Sequence, residues 1–300
     1  MDFIYGELIV FFTVLGNPTY CYTGGKAFDS ASNAAKPTVV FIHGVLNDHS
    51  VWILQTRYLA HHGFNVLAVD LPGHGKSAGP NRDIAPCLSV ESAADFIIAL
   101  LDAAGLTTVA LVGHSFGSLI ALEVAARDSA KNPNRIKHLA MVGTAFPMPV
   151  SAALLETSLN APLKAIDMVN TFSHSMLAPP PSALGPGTWL YGSSKALMRR
   201  VQASNSAFNL FHLGFTACND YKNGLASVSI ASAAMLFIVG KSDQMTPPKA
   251  AQALINAAKS SGKQVSVVTL DAGHQLMTEA PDGVLMALRH FLNPVLTSKP

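Results

Sequence analysis

Ser115 stands between two glycines in the run Gly113-His114-Ser115-Phe116-Gly117. The run comes straight after apolar residues that end at Val112. It is followed by Leu119, Ile120, Leu122, Val124 and Ala125, which repeat at helical spacing. With Gly and Ser at roughly 7% each, a G-x-S-x-G pentapeptide arises by chance in about one chain of this length in ten. The setting carries more than the pentapeptide. A serine on a sharp strand-to-helix turn needs small residues on both sides so that neighbouring backbone can come close. Such a turn lifts the hydroxyl to the edge of a sheet beside a helix N-terminus, whose free N–H groups can hold negative charge.

A serine hydroxyl is a weak nucleophile at neutral pH, so it needs a base, and the base needs an orienting partner. Among eleven histidines, His274 is distinguished by its place: Asp271-Ala-Gly-His274 directly follows the last strand-like run. Asp243 follows the preceding run through Gly240-Lys-Ser-Asp243. Both positions fall at the carboxyl ends of strands, where catalytic groups gather in open α/β sheets. Asp271 and Glu279 are rival acids, but Asp271 lies only three residues from His274 and better shapes its loop. The chemistry indicated is acyl transfer to water, with Ser115 attacking a carbonyl, His274 moving the proton and Asp243 orienting His274. The rate should then rise with pH as the base loses its proton. Neither a metal nor an organic cofactor is required.

The elements that must position these groups are legible as alternating runs. Residues 38–42, 65–69, 109–112, 138–142, 235–239 and 265–269 are nearly continuous apolar runs, as expected of parallel strands buried on both faces. Helical patterns fall between them near 51–62, 89–104, 116–128 and 248–260, with 281–293 closing the chain. This alternation predicts a doubly wound, mostly parallel sheet, preceded by an antiparallel hairpin with Asn17-Pro18 between its apolar runs. The rhythm stops between about Phe146 and Leu225. Prolines gather there at 147, 149, 162, 179–181 and 186, among Met148, Leu154, Met168, Phe172, Met176 and Phe215. The division expected is an α/β core of residues 1–145 and 226–300 with a helical cap over 146–225. Met148, Met168 and Phe172 are its candidate substrate contacts. His43, Gly44 and Leu46 are candidates in the loop after the first parallel strand.

Composition excludes other classes. Charged residues make up 13% of the chain and the net charge is +2, against roughly 25% charged in an average domain, so the chain has ample apolar surface for a core. The basic residues form no cluster beyond pairs such as Arg199-Arg200, which argues against nucleic acid as a partner. Cys21, Cys87 and Cys218 are odd in number and widely spaced, and read as reduced thiols of a cytoplasmic protein. Asp2 and Glu7 precede the apolar run 8–14 where a signal peptide would carry Lys or Arg. The uncharged stretch between Lys222 and Lys241 is too rich in Ser, Gly and Asn for a membrane span, and reads as a loop feeding a buried strand.

Five ordered motifs give the chain its resemblance to the α/β-hydrolase superfamily. They are His43-Gly44 with Trp52 downstream, Asp70-Leu-Pro-Gly-His-Gly-Lys-Ser77, Gly113-His-Ser-Phe-Gly117, Gly240-Lys-Ser-Asp243 with Pro247, and Gly273-His274. The resemblance implies the α/β-hydrolase fold, with Ser115 as nucleophile, Asp243 as acid and His274 as base. It also implies an oxyanion hole from the backbone N–H groups of Phe116 and Val45, with Leu46 as the alternative to Val45. His43, His74 and His114 are expected to fix loops. Haloalkane dehalogenases and epoxide hydrolases resemble this fold but place aspartate where this chain has Ser115. The three residues are equally consistent with a carboxylesterase, a thioesterase, a C–C bond hydrolase or a perhydrolase, and a receptor that only binds a small ligand is the alternative outside catalysis. The few cations of the cap favour an uncharged, fairly apolar, small to medium ester as the small-molecule partner. A homodimer is left open.

Overall fold

The computed structural model describes residues 9–29, 38–175 and 189–292. Asp2, Glu7, Met176 and the prolines at 179–181 and 186 lie outside the described residues. Eight strands form one sheet: β1 (Ile9–Val14), β2 (Asn17–Tyr22), β3 (Thr38–Ile42), β4 (Val66–Val69), β5 (Val109–His114), β6 (Ile136–Val142), β7 (Ala234–Gly240) and β8 (Val265–Leu270). Their order across the sheet is β1-β2-β4-β3-β5-β6-β7-β8. From β4 to β8 all pairs are parallel, while β1 and β2 form an antiparallel hairpin that joins β4. The hairpin turns at Leu15-Gly16, both at positive φ as a tight two-residue turn requires, so Asn17 opens β2 rather than forming the turn.

Helices cover both faces. The core helices are α1 (Ile53–His61), α2 (Val90–Ala103) and α3 (Phe116–Lys131). Between β6 and β7 come α4 (Ala152–Asn160), α5 (Pro162–Ser173), α6 (Leu190–Ala203), α7 (Leu210–Asp220) and α8 (Gly224–Ile230), and the chain continues through α9 (Gln252–Ser260), α10 (Leu276–Glu279) and α11 (Pro281–Leu292). One apolar layer, with Val40, Leu111, Met141 and Phe237, packs under α2, α3 and α9. The other, with Phe41, Val112, Ala140 and Ile238, meets Trp52, Leu59 and Leu288. Residues of one strand alternate between the two layers, as the period of two demands. Among the described residues, no helix is long and apolar enough to cross a membrane.

Two expectations need correction. Strand β8 is the sheet edge, and Ser266, Val267 and Thr269 are exposed, so its apolar run is not buried on both faces. The stretch after Lys222 is a helix rather than a loop. Its Ser and Gly content disfavours helix locally, but α8 packs on α3, and Ser227 Oγ and Tyr221 Oη both donate to Glu123 Oε2, at 2.7 and 2.8 Å. The expected boundary at 225 therefore falls inside a helix that is bonded to the core.

Candidate active site

The turn at Ser115 follows from two glycines. A Cβ on Gly113 would lie 2.1 Å from Gly117 O, and one on Gly117 would lie 2.3 Å from Ile42 O, so neither place admits a side chain. The close approach drives Ser115 to φ 52° and ψ −120°, a conformation that costs a non-glycine residue free energy. Its N–H donates to Val142 O at 2.9 Å, pinning the turn to β6. No side-chain hydrogen bond engages the Ser115 hydroxyl among the described residues.

Asp243 follows β7, and four donors fill its two oxygens. The N–H groups of Met245 and Thr246 reach Oδ1 at 2.8 and 2.7 Å, while Thr246 Oγ1 and His274 Nδ1 reach Oδ2 at 2.7 and 2.9 Å. Burial raises the carboxyl's pKa, but the facing His274 ring and the Thr246 donors outweigh it and hold Asp243 ionised well below the usual carboxylate range. With Nδ1–H directed at Asp243, the Nε2 of His274 is left as the proton acceptor. The backbone of His274 is gripped from two sides. Its N–H donates to Ser173 O at 2.8 Å, and its carbonyl accepts from His114 Nε2 at 2.9 Å.

Ser115 and His274 line a cavity of about 260 Å³ with Met148, Met168 and Phe172, three of the residues singled out in the sequence. Val150, Leu154 and Phe215 add apolar wall, and no Lys, Arg, Asp or Glu lines it among the described residues. The amides of Val45 and Phe116 have no hydrogen-bond partner among the described residues. Leu46 is also strained, at φ 52°. It is fully buried against Ile166, Met198 and Phe211 rather than lining the cavity. His43 does not line it either: Nε2 accepts from Leu71 N at 3.1 Å and Nδ1 donates to Gly44 O at 2.8 Å. Gly44 packs against Ser115, where a Cβ would come within 3.2 Å of the serine's own. None of the three lines the main cavity, and the side chains of His43 and Leu46 turn into the protein.

Burial makes three nearby histidines hard to protonate. It pushes His114 down to about 3 and His74 to about 4, and lowers His43 as well. Sequence reasoning missed Thr246, Ser173, Asn47 and Gln275. Thr246 carried a weak signal, three residues beyond Asp243; the others carried none. Asp48, His49 and Asp70 bring ligand atoms within 4.8 Å of one another, the geometry of a metal site. Their donors are protein groups instead: His49 Nδ1 meets Asp70 Oδ1, Lys76 N meets Asp70 Oδ2, and Arg200 meets Asp48 Oδ2, at 2.8, 2.9 and 2.8 Å.

The arrangement brings together a half-buried hydroxyl on a strained turn, an oriented imidazole, a fixed carboxylate and two unpaired amides, a set that can support a two-step acyl transfer. Comparison with known proteins gives the same fold. The chain is 32% identical over 108 residues to (E)-2-((N-methylformamido)methylene)succinate hydrolase of Acinetobacter baylyi, covering 36% of this chain and 38% of that one. It is 32% identical over 135 residues to an epoxide hydrolase of Caballeronia sordidicola, covering 42% and 39%. These matches span about two fifths of the length of the curated relatives. An esterase from Exiguobacterium antarcticum superimposes with a TM-score of 0.75 at 18% identity, over 95% of this chain and 99% of that one. The enol-lactonase from Burkholderia xenovorans gives 0.73 at 20% identity, over 95% and 100%. At such identities the likeness speaks for the fold alone. The profile of the "Alpha/beta hydrolase family" matches residues 39–287, and with the sheet order and the turn at Ser115 this places the chain in the alpha/beta hydrolase family.

Proposed function

We propose that the protein hydrolyses a small to medium, uncharged and fairly apolar carboxylic ester through an acyl group carried on Ser115. His274 Nε2 takes the Ser115 proton as the hydroxyl attacks the carbonyl. The amides of Val45 and Phe116 hold the oxyanion, and His274 gives the proton to the departing alcohol. Asp243 keeps Nδ1–H of His274 directed away from Ser115 and stabilises the imidazolium. The observation that carries the reading is the His274 Nδ1 to Asp243 Oδ2 bond of 2.9 Å, behind a histidine that shares one cavity with Ser115.

The walls support the substrate class. About 260 Å³ lies just below the roughly 300–1,000 Å³ of pockets for drug-sized ligands. Among the described residues the lining holds no cation to pair with a carboxylate substrate, which disfavours cleavage of a C–C bond in a dienoic acid. Helices α4–α7 act as a lid that chooses which carbonyl reaches Ser115. A fluorophosphonate probe should label the wild-type chain and spare Ser115→Ala, with turnover of 4-nitrophenyl butyrate lost in parallel. Equal labelling of the two proteins would end the assignment.

A further inference from the structure

Strand β8 ends the sheet on one side, and among the described residues no strand pairs with its outer edge. Its backbone groups divide between its two sides. Gln264 O accepts from Met235 N and Leu270 O from Lys241 N, both at 2.8 Å, and β8 follows β7 without a register shift from Val265 to Leu270. In a parallel ladder alternate residues turn their N–H and C=O toward the same neighbour, so Ser266 and Val268 also face β7. Val265, Val267 and Thr269 therefore direct theirs outward, and these donors and acceptors have no partner among the described residues.

Edge strands are ordinarily blunted by a charge, a proline, a bulge or a covering segment, because an open row of backbone groups invites another strand. Strand β8 carries no such device. Val265-Ser-Val-Val-Thr-Leu270 is uncharged and regular, and Val267 at its centre is 44% exposed. Charges stand just outside it and are opposite in sign, Lys263 before the strand and Asp271 after it, and neither makes an ion pair among the described residues. Both lie an even number of residues from Val267 and so belong to its face of the strand. The other edge, β1, has no charge from Ile9 to Gly16 that could set a register.

We propose that β8 pairs antiparallel with β8 of a second copy of this chain, about a two-fold axis at Val267, joining the two sheets into one. A two-fold contact needs a surface that complements itself, and this edge does. With the axis at Val267, that residue stands opposite its own copy and Val265 stands opposite Thr269. All three face outward, so each of these pairs exchanges two hydrogen bonds. The same register sets Lys263 of each copy opposite Asp271 of the other. Moving the axis by one residue, to Ser266 or Val268, keeps the backbone bonds but separates those charges, so the charges select the register. No residue of β8 lines the main cavity, and the pairing leaves that cavity open.

Sedimentation equilibrium on the full chain, over about 0.1–100 µM, reads the dimer Kd directly. Wild type should show a monomer–dimer equilibrium that added salt weakens. Lys263→Asp sets like charges opposite each other at both ends of the contact and should raise Kd at least about tenfold, as should Asp271→Lys. Lys263→Asp combined with Asp271→Lys should bring Kd back to within about threefold of wild type, which also shows that the single variants lost pairing and not the fold. Val267→Lys places two ammonium groups across the axis and should leave the chain monomeric throughout the range. A wild type that is monomeric at the highest concentration would overturn the proposal. So would a dimer whose Kd neither charge reversal moves, since the contact would then lie elsewhere, the β1 edge included. Single variants that weaken the dimer without rescue by their combination would overturn the register at Val267.

Discussion

Ser115, Asp243 and His274 stand at the ends of β5, β7 and β8, whereas the walls before them come from the segment between β6 and β7. The two regions are built differently. At the sheet edge, positions are fixed by backbone: Gly113 and Gly117 admit no Cβ, and Asp243 is held by two backbone N–H groups. In the insertion they are fixed by side-chain packing, with Ile166, Val201 and Phe211 closing an apolar cluster around Leu46. Backbone constraints tolerate almost no substitution, while apolar packing accepts many sequences of similar volume. The edge should therefore lose function in an all-or-none way, and the insertion should change it by degrees.

The sharpest break is Asp243→Asn. An amide cannot accept four donors and would favour the wrong tautomer of His274, so kcat should fall about 10⁴-fold with KM little changed. Steady-state kinetics on 4-nitrophenyl butyrate check this, and a loss under tenfold would mean the carboxylate does not orient the base.

The second largest effect is on stability, and it too belongs to the sheet side. His74 and His114 stay neutral in the fold down to about pH 4 and 3, whereas in the unfolded chain they protonate near the ordinary value of about 6.5. Between those limits the unfolded state binds more protons. Stability present at neutral pH must then drop as the solution is acidified, by about 1.4 kcal/mol per pH unit for each histidine. Asp243 has the opposite charge type but the same outcome, in a lower window. Its folded pKa is depressed, so its contribution is present above the unfolded carboxylate range and fades as pH falls below it. Urea midpoints should hold nearly level from pH 7.5 to about 6.5 and slide down from there to pH 4.5; a flat series throughout would show that the buried rings take up protons without cost.

The same contrast explains what the sequence disclosed. The glycines around Ser115 and the short steps from β7 to Asp243 and from β8 to His274 are local patterns, so they could be read without a fold. Ser173 could not, because its carbonyl meets the N–H groups of His274 and Gln275 only in three dimensions. Helix α8 was misread for a related reason: its Ser-rich sequence speaks for a loop, and the bonds from Ser227 and Tyr221 to Glu123 override it. His43 and Leu46 sit beside a motif in the sequence, but which way their side chains turn, into the protein, is decided by partners remote in the chain.

Within the insertion, Met168→Ala enlarges the main cavity without touching Ser115, Asp243 or His274. Kinetics over acyl chains of increasing length should show the preferred chain lengthening, with the ratio of kcat/KM for long against short esters changing roughly tenfold, the scale of a methylene or two. A uniform loss for every chain length would mean that the insertion also sets the geometry at Ser115, and the contrast between the regions would fail.

The smallest effect sharpens how the two regions are joined. Arg200 of α6 reaches Asp48 Oδ2 at 2.8 Å, but Arg200 is mostly exposed, and Asp48 keeps the Ser50 N–H and hydroxyl as donors without it. Exposed ion pairs contribute about 0–1 kcal/mol. Other ties cross the same seam: Asn205 Nδ2 donates to Ile84 O at 2.9 Å, and Gly75 N donates to Ser204 Oγ at 3.1 Å. Arg200→Ala should therefore shift the denaturation midpoint by the equivalent of less than about 1 kcal/mol and leave the chain-length profile unchanged. A larger loss, or a broadened chain-length profile, would make this ion pair the latch of the insertion, and the apolar cluster around Leu46 would not be sufficient to hold α5 against His274.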